Sequence, residues 1–190
     1  GSCLTSYGCM DITACNYDAI ATCDDGSCFG VIGCTDSKSF NYNASATCDN
    51  GNCLTYVPGD NFESYLESNN MGNGIANDDY VLTSAIDTVS FLSIDGMNAI
   101  QNITGIENFS SLIFLDLDGT GVDTINISNL TSLSVLTANI YSQDYTLITN
   151  NNTSLDSISC TGSFWNGFNL SLDLTGAPNL TYLYCAGNQL

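Results

Sequence analysis

The chain has 190 residues and a formal net charge of −19, with one base (Lys38), no Arg and no His. That balance excludes the clustered cations of a nucleic-acid binder and disfavours binding to, or insertion into, an anionic membrane. Hydrophobic residues make up 44% of the chain, which excludes a disordered polyanion, and no apolar run approaches the ~18 residues of a membrane helix.

Residues 1–54 hold eight of the ten cysteines and a tandem repeat. Gly8–Cys28 aligns without gaps on Gly33–Cys53, with 12 of 21 positions identical and a period of 25 residues. Such self-similarity marks an array of small modules. Gly1-Ser2-Cys3 matches Gly26-Ser27-Cys28 one period earlier, so an upstream copy is expected. Residues 1–7 are therefore read as the tail of a preceding unit and a linker, 8–28 as one Cys-rich unit, and 29–54 as a linker and a second. Units this short cannot fold on buried apolar surface alone. With no His and an acidic setting, the cysteines read as disulfides in an oxidising compartment rather than as zinc ligands. Cys9 with Cys28 and Cys34 with Cys53 are the expected closures, and Cys15 could then pair with Cys23. Phe40 replaces the counterpart of Cys15, which leaves Cys48 unassigned, and Cys3 is expected to pair upstream. Spacing alone does not settle this connectivity.

The same units carry candidate calcium ligands: Asp11, Asn16, Asp18, Asp24 and Asp25 in the first, and Asp36, Asn41, Asn43, Asp49 and Asn50 in the second. Calcium takes six to eight oxygens, often around a turn opened by Gly. The competing reading is Asx-turns in which each side chain caps its own backbone. The first unit, with four carboxylates against two, is expected to bind more tightly.

From Thr55 the pattern changes. Residues 55–88 read as a helical lead-in: Asp60-Asn-Phe-Glu63 has the form of a capping box. Phe62, Tyr65 and Leu66 share one face, and Asn69-Asn70 ends the helix. Residues 89–190 carry a second repeat. Val89-xx-Leu92-x-Ile94, Leu112-xx-Leu115-x-Leu117, Leu133-xx-Leu136-x-Ala138, Leu155-xx-Ile158-x-Cys160 and Leu180-xx-Leu183-x-Cys185 start 23, 21, 22 and 25 residues apart. This spacing predicts a mostly β leucine-rich-repeat solenoid with one short N-terminal helix. Val122, Ile125, Ile127 and Leu130 fill its second return arc. The arcs over 141–152 and 161–169 break the spacing and predict bulges. Cys160 and Cys185 fall at one inward position and read as buried apolar thiols. The chain stops at Gln189-Leu190 within a repeat, so continuation is expected.

The Cys-rich region resembles the Gly-Cys-Thr-Asp…Asn-Tyr…Asp-Asp-Gly-Ser-Cys repeat of large secreted proteins of aquatic Bacteroidota. The resemblance lies at Gly33-Cys34-Thr35-Asp36, Asn41-Tyr42 and Asp24-Asp25-Gly26-Ser27-Cys28. Val57–Glu63 and Asp79–Thr83 are similar to the lead-in of leucine-rich-repeat domains in the same surface proteins. The resemblance implies a multidomain protein, cell-surface attached or released, and no particular ligand. It also implies O-glycosylation at Asp-Ser/Thr before an apolar residue, which points to Thr88, Thr124 and Ser157 over the Asn-x-Ser/Thr triplets.

Without His, Ser-His and Cys-His nucleophile pairs are impossible within this chain. Asp95, Asp116 and Asp118 are the carboxylates nearest to a hydrolytic pair, and no pattern raises them above a solvated face. The sequence therefore predicts no catalytic residues. It predicts a non-enzymatic extracellular interaction protein for a protein or glycan ligand at the cell surface, calcium being its one expected cofactor. The alternative is a subunit of a fibre built by head-to-tail stacking of repeats.

Overall fold

The computed structural model describes residues 6–140, 144–162 and 169–188. It divides into two compact units, Gly1–Leu54 and Thr55–Leu190. Cys3, Gln189-Leu190 and the parts of the irregular arcs over 141–143 and 163–168 lie outside the described residues.

In the first unit each repeat folds around one pair of two-residue parallel strands. β1 (Tyr7–Gly8) pairs with β2 (Cys23–Asp24), and β3 (Ile32–Gly33) pairs with β4 (Cys48–Asp49). The repeated asparagine is the clamp that closes each module. Asn16 donates Nδ2 to the Ser27 carbonyl and accepts from the Phe29 N–H, and Asn41 does the same with Asn52 and Leu54. Hardly any apolar side chain is enclosed. The buried hydrophobic residues are Cys9, Ala14, Cys23, Cys34 and Cys53, whereas Tyr7, Ile12, Ile20, Phe29 and Phe40 face solvent. The cross-links replace a core. Cys9–Cys28 and Cys34–Cys53 each close a separation of 19 residues, worth about 3 kcal/mol apiece as loop-entropy constraints.

The third disulfide corrects the expected pairing: Cys15 is bonded to Cys48, 33 residues away, and not to Cys23. The backbone explains the choice. Cys15 N–H donates to the Phe29 carbonyl and Ile32 N–H to the Thr13 carbonyl, which lays the start of the second repeat along the Thr13–Cys15 turn. β4 then brings Cys48, the register partner of Ile32, opposite Cys15. β2 instead holds Cys23 beside Tyr7, and Cys23 is disulfide-bonded in its own right. Phe40 keeps the backbone bond of its counterpart, donating to the Leu54 carbonyl, while its side chain is 65% exposed.

The second unit opens with β5 (Leu54–Tyr56), α1 (Asp60–Ser68), β6 (Tyr80–Leu82) and a second helix the sequence did not announce, the single turn α2 (Thr83–Ile86). In α1, Phe62 and Leu66 are fully buried and Tyr65 packs against the same cluster. The capping box does not form. Gly59 is the N-cap, without a side-chain bond, and Asp60 is already helical. Glu63 turns inward, fully buried, and its two oxygens accept the N–H groups of Asp78 and Asp79. A carboxylate this deep needs hydrogen-bond donors, and the returning loop supplies two.

Phe91 to Tyr184 form a parallel β-solenoid. Its main sheet has five strands: β7 (Phe91–Ser93), β8 (Phe114–Asp116), β10 (Val135–Thr137), β12 (Ser157–Ser159) and β14 (Tyr182–Tyr184), all in register. Leu92, Leu115, Leu136 and Ile158 stack, buried, at the central inward position, and Leu183 continues the register but is 41% exposed. A second parallel sheet lines the return side: β9 (Thr124–Asn126), β11 (Tyr145–Ile148) and β13 (Leu170–Asp173). Val122, Ile125, Ile127 and Leu130 are fully buried between the two. The arc over 141–152, expected to bulge, contributes β11 to this ladder in its described part. Among the described residues no helix is long and apolar enough to cross a membrane.

Candidate functional site

Two groups of the chain's carboxylates bear on the candidate site. Those of the Cys-rich repeats are spent locally. Asp11 accepts from the Thr13 N–H and hydroxyl, Asp18 from Ile20, Asp24 from Gly26, Asp25 from Ser27 and Asp49 from Gly51. Asp36 accepts from Lys38 and Ser39, Asn43 from Ser45 and Asn50 from Asn52. All ten calcium candidates, the clamp residues Asn16 and Asn41 included, thus hold backbone geometry. Among the described residues no three carboxylate, thiol or imidazole side chains converge as a metal-ligating group. The bonds from Thr13, backbone first, hold Asp11 below the ordinary carboxylate range, and the Ser27 side chain and N–H do the same for Asp25.

The second group lies along the outer face of the five-stranded sheet, where alternation turns every second strand residue away from the core. One outward row runs Phe91, Phe114, Val135, Ser157, Tyr182. Phe91 and Phe114 stack with centroids 4.8 Å apart and planes 5° from parallel, and Phe91 remains 62% exposed. Ile113 and Tyr182 are exposed along the same edge. The neighbouring outward row, Ser93, Asp116, Thr137, Ser159, Tyr184, is polar except at its end. Asp116 accepts from the hydroxyls of Ser93 (2.9 Å) and Thr137 (2.7 Å), tying three consecutive coils together. At the strand ends Asn139 donates its N–H and Nδ2 to the two oxygens of Asp118, at 2.8 and 2.7 Å. The Asn139 Oδ1 accepts from Ser159, the Thr161 N–H and the Thr161 hydroxyl. The result is an ordered polar strip beside an aromatic one. The sequence marks the outward positions by alternation; the stacked pair is legible only once the 23-residue repeat is set in register.

Beneath this face lie two free thiols. Cys160 is buried and Cys185 partly so. Burial, with Cys185 as a neighbour, pushes the Cys160 thiol up to about 12. Burial likewise raises Tyr145, whose hydroxyl donates to the Ala138 carbonyl at 3.1 Å. Of the residues expected to carry glycans, Thr88 is exposed after α2, Thr124 is exposed on β9, and Ser157 is half-buried in the main sheet between Val135 and Tyr182.

No protein-family model matches the chain, and a comparison with curated proteins finds no match either. The class is therefore set by the architecture: a β-solenoid repeat region preceded by a disulfide-rich segment. Its three described disulfides suit an oxidising compartment.

Proposed function

We propose that this chain is a non-enzymatic extracellular interaction module. It joins a disulfide-stapled repeat segment to a leucine-rich-repeat solenoid whose outer sheet face binds a protein or glycan ligand at a cell surface. The observation that carries this reading is the Phe91–Phe114 stack, exposed at Phe91 and half-buried at Phe114, lying beside the hydrogen-bonded row of Ser93, Asp116 and Thr137. Stacked aromatic surface next to fixed acceptors and donors suits both sugar rings and amphipathic protein surfaces. The Leu-xx-Leu-x-Leu periods support the leucine-rich-repeat assignment, and the resemblance to Bacteroidota surface proteins supports the location.

The test compares the native chain with Phe91→Ser/Phe114→Ser on an immobilised glycan array and in a bead-adhesion assay on intact cells. A loss of roughly tenfold or more in binding, with melting unchanged, is expected for a central aromatic pair. Binding that ignores these residues, or turnover of glycan or peptide by the native chain, would overturn the proposal. Calcium is a separate proposal for the Cys-rich repeats: Asp24, Asp25 and Asp49 each accept the turn bond on one oxygen, leaving the other for an ion completed by backbone and water.

A further inference from the structure

The return side of the solenoid holds a cleft of about 530 Å³ lined by residues 101–104, Ile106, Glu107, Asp123, Thr124 and Asn126. Its origin is a local departure from the repeat. Gly121 N–H donates to the Ile100 carbonyl, so the first two coils run side by side up to that point. Asn102 then accepts from the Thr104 N–H and hydroxyl, making a turn where the later coils make strand. The first coil peels away, and β9 is left as the edge of its three-stranded sheet.

That edge is chemically specific. Thr146 N–H donates to the Asp123 carbonyl and Ile127 N–H to the Ile148 carbonyl, so the odd-numbered residues of this stretch bond towards β11. The N–H and C=O groups of Thr124 and Asn126 therefore point the other way, into the cleft, as unpaired groups of an edge strand do. Ile103 and Ile106 are buried at its floor, and Glu107 and Asp123 stand at its walls. The volume lies in the range of ligand sites, ~300–1,000 Å³.

We infer that this cleft takes an extended, cationic peptide segment, which adds a fourth strand to the sheet along the Thr124–Asn126 edge. The backbone groups of β9 supply the strand-pairing bonds, and Glu107 and Asp123 select Lys or Arg side chains. Charge complementarity sets the source: a chain of net charge −19 with Lys38 as its only base attracts cationic partners and offers almost none of its own.

The test titrates isotope-labelled chain, made in a host without O-glycosylation so that Thr124 stays bare. The ligand is a blocked peptide of alternating Val/Thr and Lys, followed by NMR and hydrogen exchange. Saturable shifts and slowed exchange at the Thr124 and Asn126 amides are expected. Alternate N-methylation of the peptide should cost at least tenfold in Kd in one register and leave the other register binding. Replacing Lys by Glu should also cost at least tenfold, and Asp123→Asn/Glu107→Gln about fivefold with a flatter salt dependence. Thr124→Pro removes an edge N–H where an edge strand tolerates proline, and should abolish the exchange protection. Equal binding by both N-methylated registers, shifts that map away from the cleft, or no saturable shift at millimolar peptide would overturn the inference.

Discussion

Asn152 shows how much structure one side chain can hold in this repeat. It is fully buried, and its Nδ2 donates to the carbonyls of Ile127 (2.7 Å) and Leu130 (3.1 Å) in the preceding coil. Asn152→Ala removes one of the two donors to each carbonyl, which keep the N–H groups of Leu130 and Leu133, and leaves a cavity, so a loss of about 1–3 kcal/mol is expected. Urea unfolding should report it as a lower midpoint with an unchanged slope; a loss below about 0.5 kcal/mol would mean that water replaces the amide. The thiols give a second check. Thiolate is the reactive form, and burial pushes Cys160 up to about 12, so below pH 9 a disulfide reagent should reach Cys185 first and Cys160 only on unfolding. For Asp11 and Asp25 the sign follows from lowered folded values. Their turn bonds are present above the unfolded carboxylate pKa and are lost as pH falls through the lower folded one. NMR titration should place both midpoints below the ordinary Asp value, and Thr13→Ala should bring Asp11 back towards it.

At the scale of the element, α1 serves as the lid of the first coil. Phe62 stacks against Phe109 at 6.5 Å, Leu66 is fully buried in the same cluster, and Tyr65 donates its hydroxyl to the Ser93 carbonyl at 2.9 Å. Phe62→Ala should cost about 3–5 kcal/mol; because nearest-neighbour packing holds a solenoid, hydrogen exchange should rise first at β7 and last at β12. Uniform loosening would show that the lid is not local. The same elements mark what a sequence can say. Leu-xx-Leu-x-Leu places the main strands because alternation is a property of each strand alone. The return sheet was not legible, since β11 lies within and β13 directly after an arc whose spacing is broken, and their pairing depends on neighbouring coils. Asp60 and Glu63 imitate a capping box because the pattern is local, whereas the buried fate of Glu63 depends on Asp78 and Asp79, fifteen and sixteen residues on. The Cys15–Cys48 bond was not legible: Phe40 leaves Cys48 without a partner in its own repeat, but the first repeat keeps both Cys15 and Cys23, and only the backbone bonds of Cys15 and Ile32 bring Cys48 to Cys15 rather than Cys23. Of the outer face, alternation revealed the outward positions but not which of them carry exposed rings.

At the scale of the whole molecule, the two units owe their stability to different physics, and that difference can be measured. Gly1–Leu54 encloses few apolar side chains beyond its half-cystines, whereas Thr55–Leu190 contains a continuous apolar stack from Val57 to Ala177. Reduction removes loop constraints of about 3–4 kcal/mol each from the first unit and breaks no described disulfide in the second. Limited proteolysis under reductant should therefore cut between Cys9 and Cys53 early and leave a fragment beginning near Thr55 with unchanged melting. The double variant Cys15→Ser/Cys48→Ser should behave differently. Each repeat keeps its own closure and asparagine clamp, so cleavage should concentrate at Phe29–Ile32, the segment joining the two repeats. Chelator in place of reductant isolates the calcium proposal: faster cleavage of residues 6–54 would support ions at the Asp24 and Asp49 turns, and an unchanged rate would leave disulfides and Asx-turns as the only staples. Equal loss of both units under reductant would contradict the division itself, because the apolar stack of the second has no cross-link to lose.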